Sequence, residues 1–175
     1  MFMFKKFFFI IFFSILSVNS IMADDKISYV DIDYILTNTI AGKSLLENLK
    51  KEEKLKIDKF KISEEDFKNK EKKILAKKNL VTNEEINKEL RSLQVEFQNY
   101  RKNKNKEIDE LKVKRNRNIL NFIKLINPIL EKYMSDNSIA ILLDKKNIFI
   151  ASKNYDITKN LITLIDKDIK SINIE

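Results

Sequence analysis

From Ile86 to Tyr133 the apolar residues advance in alternating steps of four and three: Ile86, Leu90, Leu93, Phe97 and Tyr100, then past a polar Lys104 to Leu111, Phe122, Ile126, Ile129 and Tyr133. Ile108 and Ile119 stand one place off that frame. Steps of this size keep one narrow stripe of a helix apolar, which is the pattern of a coiled-coil seam. A thinner stripe precedes it, with Phe60, Phe67 and Ile74 at heptad spacing among lysines and glutamates. Most of the chain is therefore expected in an elongated helical arm rather than a globule.

The two stripes are separated near Asn79 to Thr82, where Thr82-Asn83-Glu84-Glu85 has the spacing of a capping box that opens a new helix. A helix, a short turn and a second helix make an antiparallel hairpin. Folding it about residues 80 and 81 sets Phe60 level with Tyr100, Phe67 with Leu93, Ile74 with Ile86, and Leu49 with Leu111. The expected arm seam is thus Phe60, Phe67, Ile74, Ile86, Leu90, Leu93, Phe97 and Tyr100. An arm of roughly 37 residues reaches about 55 Å at about 1.5 Å per residue. Pro128, inside the second pattern, is expected to kink the helix or mark a junction, because it removes a helical hydrogen bond.

The flanks read differently. Lys26 to Ile32 has strand character, with Val30 and Ile32 on one face and Tyr29 and Asp31 on the other, and a helical pattern follows from about Asp33. After Asp136 and Asn137 the period returns to strand type. Ile139 to Leu143, the polar turn Asp144-Lys145-Lys146-Asn147, and Ile148 to Ala151 suggest a β-hairpin. Asp156 or Thr158 then caps a final helix carrying Leu161, Leu164, Ile165 and Ile169. The fold class is α+β: a small β-body of strand, β-hairpin and C-terminal helix, interrupted by a long antiparallel coiled-coil helical hairpin. Residues 24–42 and 132–175 form the body and 43–131 the arm. Three short strands cannot protect their own edges, so copies should assemble through Ile27, Tyr29, Val30, Ile32, Ile139, Ile141, Leu143, Ile148 and Ile150.

Residues 1–23 have a separate role. Lys5 and Lys6 precede the apolar run Phe7 to Leu16, broken only by Ser14, and a weakly polar stretch from Ser17 to Ala23 follows. This is the three-part pattern of a secretory signal peptide, cleaved after Ser20 or Ala23; the alternative is an uncleaved anchor. Export implies a periplasm-like, oxidising destination in a diderm bacterium. The chain has no cysteine with which to exploit it.

The formal charge is +8, from 34 Lys and Arg against 26 Asp and Glu; without Lys5 and Lys6 it is +6. A basic exported chain suits acidic partners or an anionic membrane surface. Nucleic acid is not an expected partner, since export removes the opportunity and arginine is confined to Arg91, Arg101, Arg115 and Arg117. The densest cluster is Arg101, Lys102, Lys104, Lys106, Lys112, Lys114, Arg115 and Arg117, set against Glu107, Asp109 and Glu110. Such a run is either a solvated helix face or a patch attracting acidic segments or lipid headgroups.

With no histidine and no cysteine, imidazole and thiol catalysis and Cys/His metal sites are excluded. Asp31 and Asp33 fit a strand end and a helix cap better than a metal pair. Gly42-Lys43-Ser44 lacks the earlier glycine of a phosphate-binding loop, since Thr37 stands there. No catalytic residue, cofactor or metal is expected.

The Tyr29-Val30-Asp31 strand, the charged hairpin, Asn127-Pro128-Ile129-Leu130, Ile139-Ala140-Ile141-Leu142-Leu143-Asp144 and the late Asp156-Ile157-Thr158 together resemble the Skp/OmpH family of periplasmic chaperones. The resemblance implies a homotrimer whose strands form a compact body from which three arms hang around a cavity. It also implies unfolded outer-membrane β-barrel proteins as clients, held without ATP, and a link to lipopolysaccharide and anionic membranes.

Overall fold

A computed structural model describes residues 26–172. The expected signal peptide lies outside the described residues. Strand β1 (Lys26–Val30) leads into a short helix α1 (Ile32–Asn38) and then α2 (Ile40–Ala76). After a 3-10 turn at Lys77–Asn79, α3 (Asn83–Asp136) runs back for 54 residues; β2 (Ile139–Asp144) and α4 (Thr158–Asp168) follow. The architecture is the expected α+β one, a long helical hairpin on a small sheet-bearing body.

Local chemistry accounts for the boundaries. Asp31 is not part of the strand but the N-cap of α1, its carboxylate accepting the Tyr34 amide hydrogen at 2.8 Å, and Ile32 is the first helical residue. Thr39 separates α1 from α2. Its hydroxyl donates to the Ile35 carbonyl at 2.9 Å and accepts from the Gly42 amide at 3.2 Å, capping both helices from a fully buried position. Gly42 is required by close approach, because a Cβ there would stand 2.1 Å from the Leu36 carbonyl oxygen. The same packing places Gly42-Lys43-Ser44 in the first turn of α2. At the arm tip the capping box forms as read, with the Thr82 side chain accepting from Glu85 and the Glu85 carboxylate accepting from the Thr82 amide. Pro128 lies within α3, which continues through it to Asp136. Ser138 takes a left-handed φ of 54° where the chain leaves α3 for β2.

The sheet differs from the expectation. β1 pairs with β2 in parallel, Ile27 opposite Ile141 and Tyr29 opposite Leu143. The helical hairpin thus serves as the long crossover that a parallel pair needs. Residues 148–151 form no strand, so the β-hairpin is corrected to a single strand followed by an irregular segment. Asp144-Lys145-Lys146-Asn147 contains no glycine to supply the positive φ of a tight hairpin turn. It winds instead into a 3-10 turn, the Asp144 carboxylate accepting from the Lys146 amide. Lys145 is drawn away to Asp31 at 2.9 Å.

The core sits at the root of the arm. Val30, Ile35, Leu36, Ala41, Leu45 and Leu49 meet Phe122, Ile126 and Leu130 of α3, Ile139 of β2, and Ile157, Leu161 and Ile165 around α4. The Asp156-Ile157-Thr158 segment ties the body together. The Ile157 amide donates to the Tyr29 carbonyl, Asp156 accepts from the Thr158 amide, and the Thr158 hydroxyl accepts from the Asp31 amide at 2.9 Å. Ile157 therefore occupies the N-cap position expected of Asp156 or Thr158. From the far end of α4, Asp166 accepts from the Ile40 amide at the start of α2.

Candidate functional site

Two surfaces are open for function: the arm and the exposed face of the sheet. Among the described residues no helix is long and apolar enough to cross a membrane.

Along the arm, α2 and α3 meet through few large side chains and a ladder of ion pairs. Phe60 and Ile86 are buried, while Phe67, Ile74, Leu90, Leu93 and Tyr100 are half-buried and Phe97 is more exposed. Phe67 meets Phe97 edge to face and Tyr100 at a tilt, each at 5.2 Å between ring centres. The Tyr100 hydroxyl donates to the Phe60 carbonyl at 3.0 Å, joining the pair read as level. Between these contacts lie open grooves. One of about 380 Å³ is lined by Leu49, Phe60, Ile108 and Leu111, and one of about 560 Å³ by Phe67, Leu90, Leu93 and Phe97.

The ladder sits diagonally. Folding about residues 80 and 81 sets Lys70 level with Arg91 and Lys77 with Glu84, yet they pair with Glu96 at 3.1 Å and Glu89 at 2.8 Å. Helical side chains lean toward the N-terminus of their own helix. Those of α2 lean to the arm's root and those of α3 to its tip, so partners meet further along α3 than the backbone levels indicate. Lys104 with Glu64 at 2.5 Å, Lys114 with Glu52 at 3.0 Å, and Lys56 with Glu107 follow the same diagonal.

These contacts set the protonation preferences. The hydrogen bond from Lys104 lowers the pKa of Glu64 and raises that of Lys104 in return. Glu107 and Glu96 raise Lys56 and Lys70 by the same means. Desolvation, followed by the nearby Glu64 charge, pushes the Tyr100 hydroxyl upward. In the body, Lys145 and then the Tyr34 amide hold Asp31 below its ordinary value.

The basic cluster read as one patch is divided by the fold. Lys104 and Lys114 cross to carboxylates of α2, while Lys106 and Lys112 pair with Glu110 and Asp109 on their own helix. Arg101, Lys102, Arg115 and Arg117 have no carboxylate partner among the described residues.

The sheet face carries the other open surface. Of the nine residues expected to join copies, Tyr29, Val30 and Ile139 are buried within one chain, Ile32 and Ile148 are half-buried, and Ile27, Ile141, Leu143 and Ile150 are exposed. The register puts Ile27 beside Ile141 and Tyr29 beside Leu143 on one sheet face. A groove of about 470 Å³ joins that face to the 148–155 segment. Sequence reasoning missed Phe149, which is 104 % exposed beside Ile150 at 85 %. The signal was its place in the apolar run 148–151, of which only Ile148 and Ile150 were named as assembly residues.

The outer membrane protein (OmpH-like) family matches residues 26–165, and the chain belongs to it. Its fold is that of an OmpH-like protein from Caulobacter crescentus CB15, proposed to be an outer membrane chaperone, with a TM-score of 0.77 at 15 % identity over 86 % of this chain and 89 % of that one. No curated protein matches the chain.

Proposed function

We propose that this chain is an exported, ATP-independent, non-enzymatic chaperone of the periplasm that holds unfolded outer-membrane β-barrel proteins. In this reading it works as a homotrimer, the arms enclosing the client. The observation that carries the reading is the contrast between an arm with no continuous core and a body sheet with one apolar face open. Membership of the OmpH-like family and the likeness to a proposed outer membrane chaperone support it. An unfolded β-barrel exposes alternating apolar residues and unpaired strand edges, both prone to aggregate. An arm with shallow apolar grooves among charges offers many weak contacts that retain such a chain without fixing it.

Trimerisation in this reading uses Ile27, Ile141, Leu143, Phe149 and Ile150, whose exposure in one chain is costly in water. Light scattering of the protein, with suppression of aggregation of a diluted unfolded β-barrel protein, tests both parts. Ile141→Asp or Ile150→Asp should dissociate the assembly, and a strictly monomeric wild type at micromolar concentration overturns it. Matched deletion of residues 60–101 should leave the assembly intact and abolish protection. If the shortened protein protects as well as the full arm, the arm is a spacer and the chaperone reading fails.

A further inference from the structure

The face of α3 turned away from α2 carries a regular pattern that the seam does not explain. At about 100° per residue, Arg91, Val95, Lys102, Val113, Arg117, Leu120 and Lys124 fall within a sector of about 80°, opposite Leu93, Phe97 and Leu111. All seven are exposed, Val95, Val113 and Leu120 by 58 %, 64 % and 56 %. Arg91, Lys102, Arg117 and Lys124 have no carboxylate partner among the described residues. Lys106, also in the sector, reaches Glu110 at 3.8 Å, and the acidic Asp109 there is held by Lys112 at 3.1 Å. Arg91, Lys102, Val113 and Lys124 are spaced by eleven residues. Eleven residues are close to three full turns, so the strip runs nearly straight along the helix, drifting only about 20° per repeat. The outward side of α2 lacks this bias, since Glu47, Lys51, Asp58 and Glu65 mix both signs there and Glu47 pairs with Lys51 at 3.1 Å.

We propose that this strip is a docking track for extended, carboxylate-rich polypeptide segments. The inference rests on the chaperone reading and names the chemistry of the segments that the arm retains. Charge complementarity selects the occupant: unpaired cations recur along a straight line, with single aliphatic side chains between them to cover small apolar groups. A bilayer surface fits less well, because a helix lying in an interface needs a broad apolar face with Trp, Phe or Leu, whereas this strip has three scattered aliphatics and no aromatic residue.

The test uses the full-length mature protein and a labelled unfolded peptide of Glu, Ser and Val, about 16 residues long so as to span the strip at about 3.3 Å per residue. A companion peptide replaces every Glu by Gln. Combining R91Q, K102Q, R117Q and K124Q should weaken binding of the acidic peptide about tenfold, as four weak exposed pairs would. Binding of the Gln peptide and the melting temperature should stay unchanged. The control K50Q, K54Q, K59Q and K72Q removes as many exposed charges from α2 and should change binding less than twofold. Equal losses in the two variants would mean that net charge acts and would overturn the strip. So would an unchanged acidic-peptide affinity in the α3 variant, or a loss confined to phosphatidylglycerol vesicles. A protein that binds the acidic peptide through the strip yet protects no unfolded β-barrel leaves the strip standing and removes the chaperone reading.

Discussion

The root of the hairpin and its outer two thirds are made from the same two helices, yet they are stabilised in different ways. At the root, Leu45, Leu49, Phe122 and Ile126 are packed against β2 and α4 in a core that excludes water. Further out, Phe67 and Leu93 are only partly buried and Phe97 keeps 37 % of its surface in solvent, and ion pairs such as Lys70 with Glu96 take over. Burial is strong and additive with area, while exposed pairs contribute little each. The body is thus built for a fixed shape and the arm for local give.

The sharpest way to break this comparison is at the root. Phe122→Ala should cost about 3–5 kcal/mol and melt body and arm base together, read by denaturant unfolding at fixed protein concentration. Phe97→Ala on the arm should cost less by the same measurement, because Phe97 keeps 37 % of its surface in solvent while Phe122 is fully buried. Comparable losses at the two positions would show that the arm carries a core of its own.

Gly42→Ala should rank second, at about 2–3 kcal/mol, since the Leu36 carbonyl is backbone and cannot rotate away. Gly42→Ala proteins that unfold like wild type would mean that α1 can shift freely on α2.

Acid should separate the regions more gently. Asp31 and Glu64 both have folded-state pKa values below their ordinary ones, set chiefly by Lys145 and Lys104. A depressed carboxylate contributes stability that is present above its unfolded pKa and lost as pH falls through its folded pKa. Stability should therefore be level near neutrality and decline on acidification below the ordinary carboxylate range. Asp31→Asn should flatten that decline in the body, followed by the Tyr29 environment in near-ultraviolet circular dichroism. The smallest effect belongs to Glu64→Gln, whose pair with Lys104 is only partly buried and still open to salt; it should leave the melting temperature almost unmoved and loosen only hydrogen exchange along the arm.

What the sequence determined by itself is whatever depends on neighbours a few residues apart. The heptad stripes, the break between them near Asn79 to Thr82 and the Thr82–Glu85 capping box are local, so they were legible residue by residue. The strand character of the segments read as Lys26 to Ile32 and Ile139 to Leu143 was legible for the same reason, though their ends were not. Tertiary structure decided what depends on distant partners. The parallel pairing of β1 with β2, the irregular course of 148–151 with Phe149 in solvent, and the double cap at Thr39 all rest on contacts between segments that local pattern cannot assign. The basic cluster shows the division most clearly. Sequence counts eight cations in one run, but only the position of α2 determines that Lys104 and Lys114 turn inward to Glu64 and Glu52 while Lys102 and Arg117 have no carboxylate partner among the described residues. A charge is available to a ligand only when the fold has not already given it a partner, and at one residue every 100° the partner is set by which side of the helix the second helix occupies.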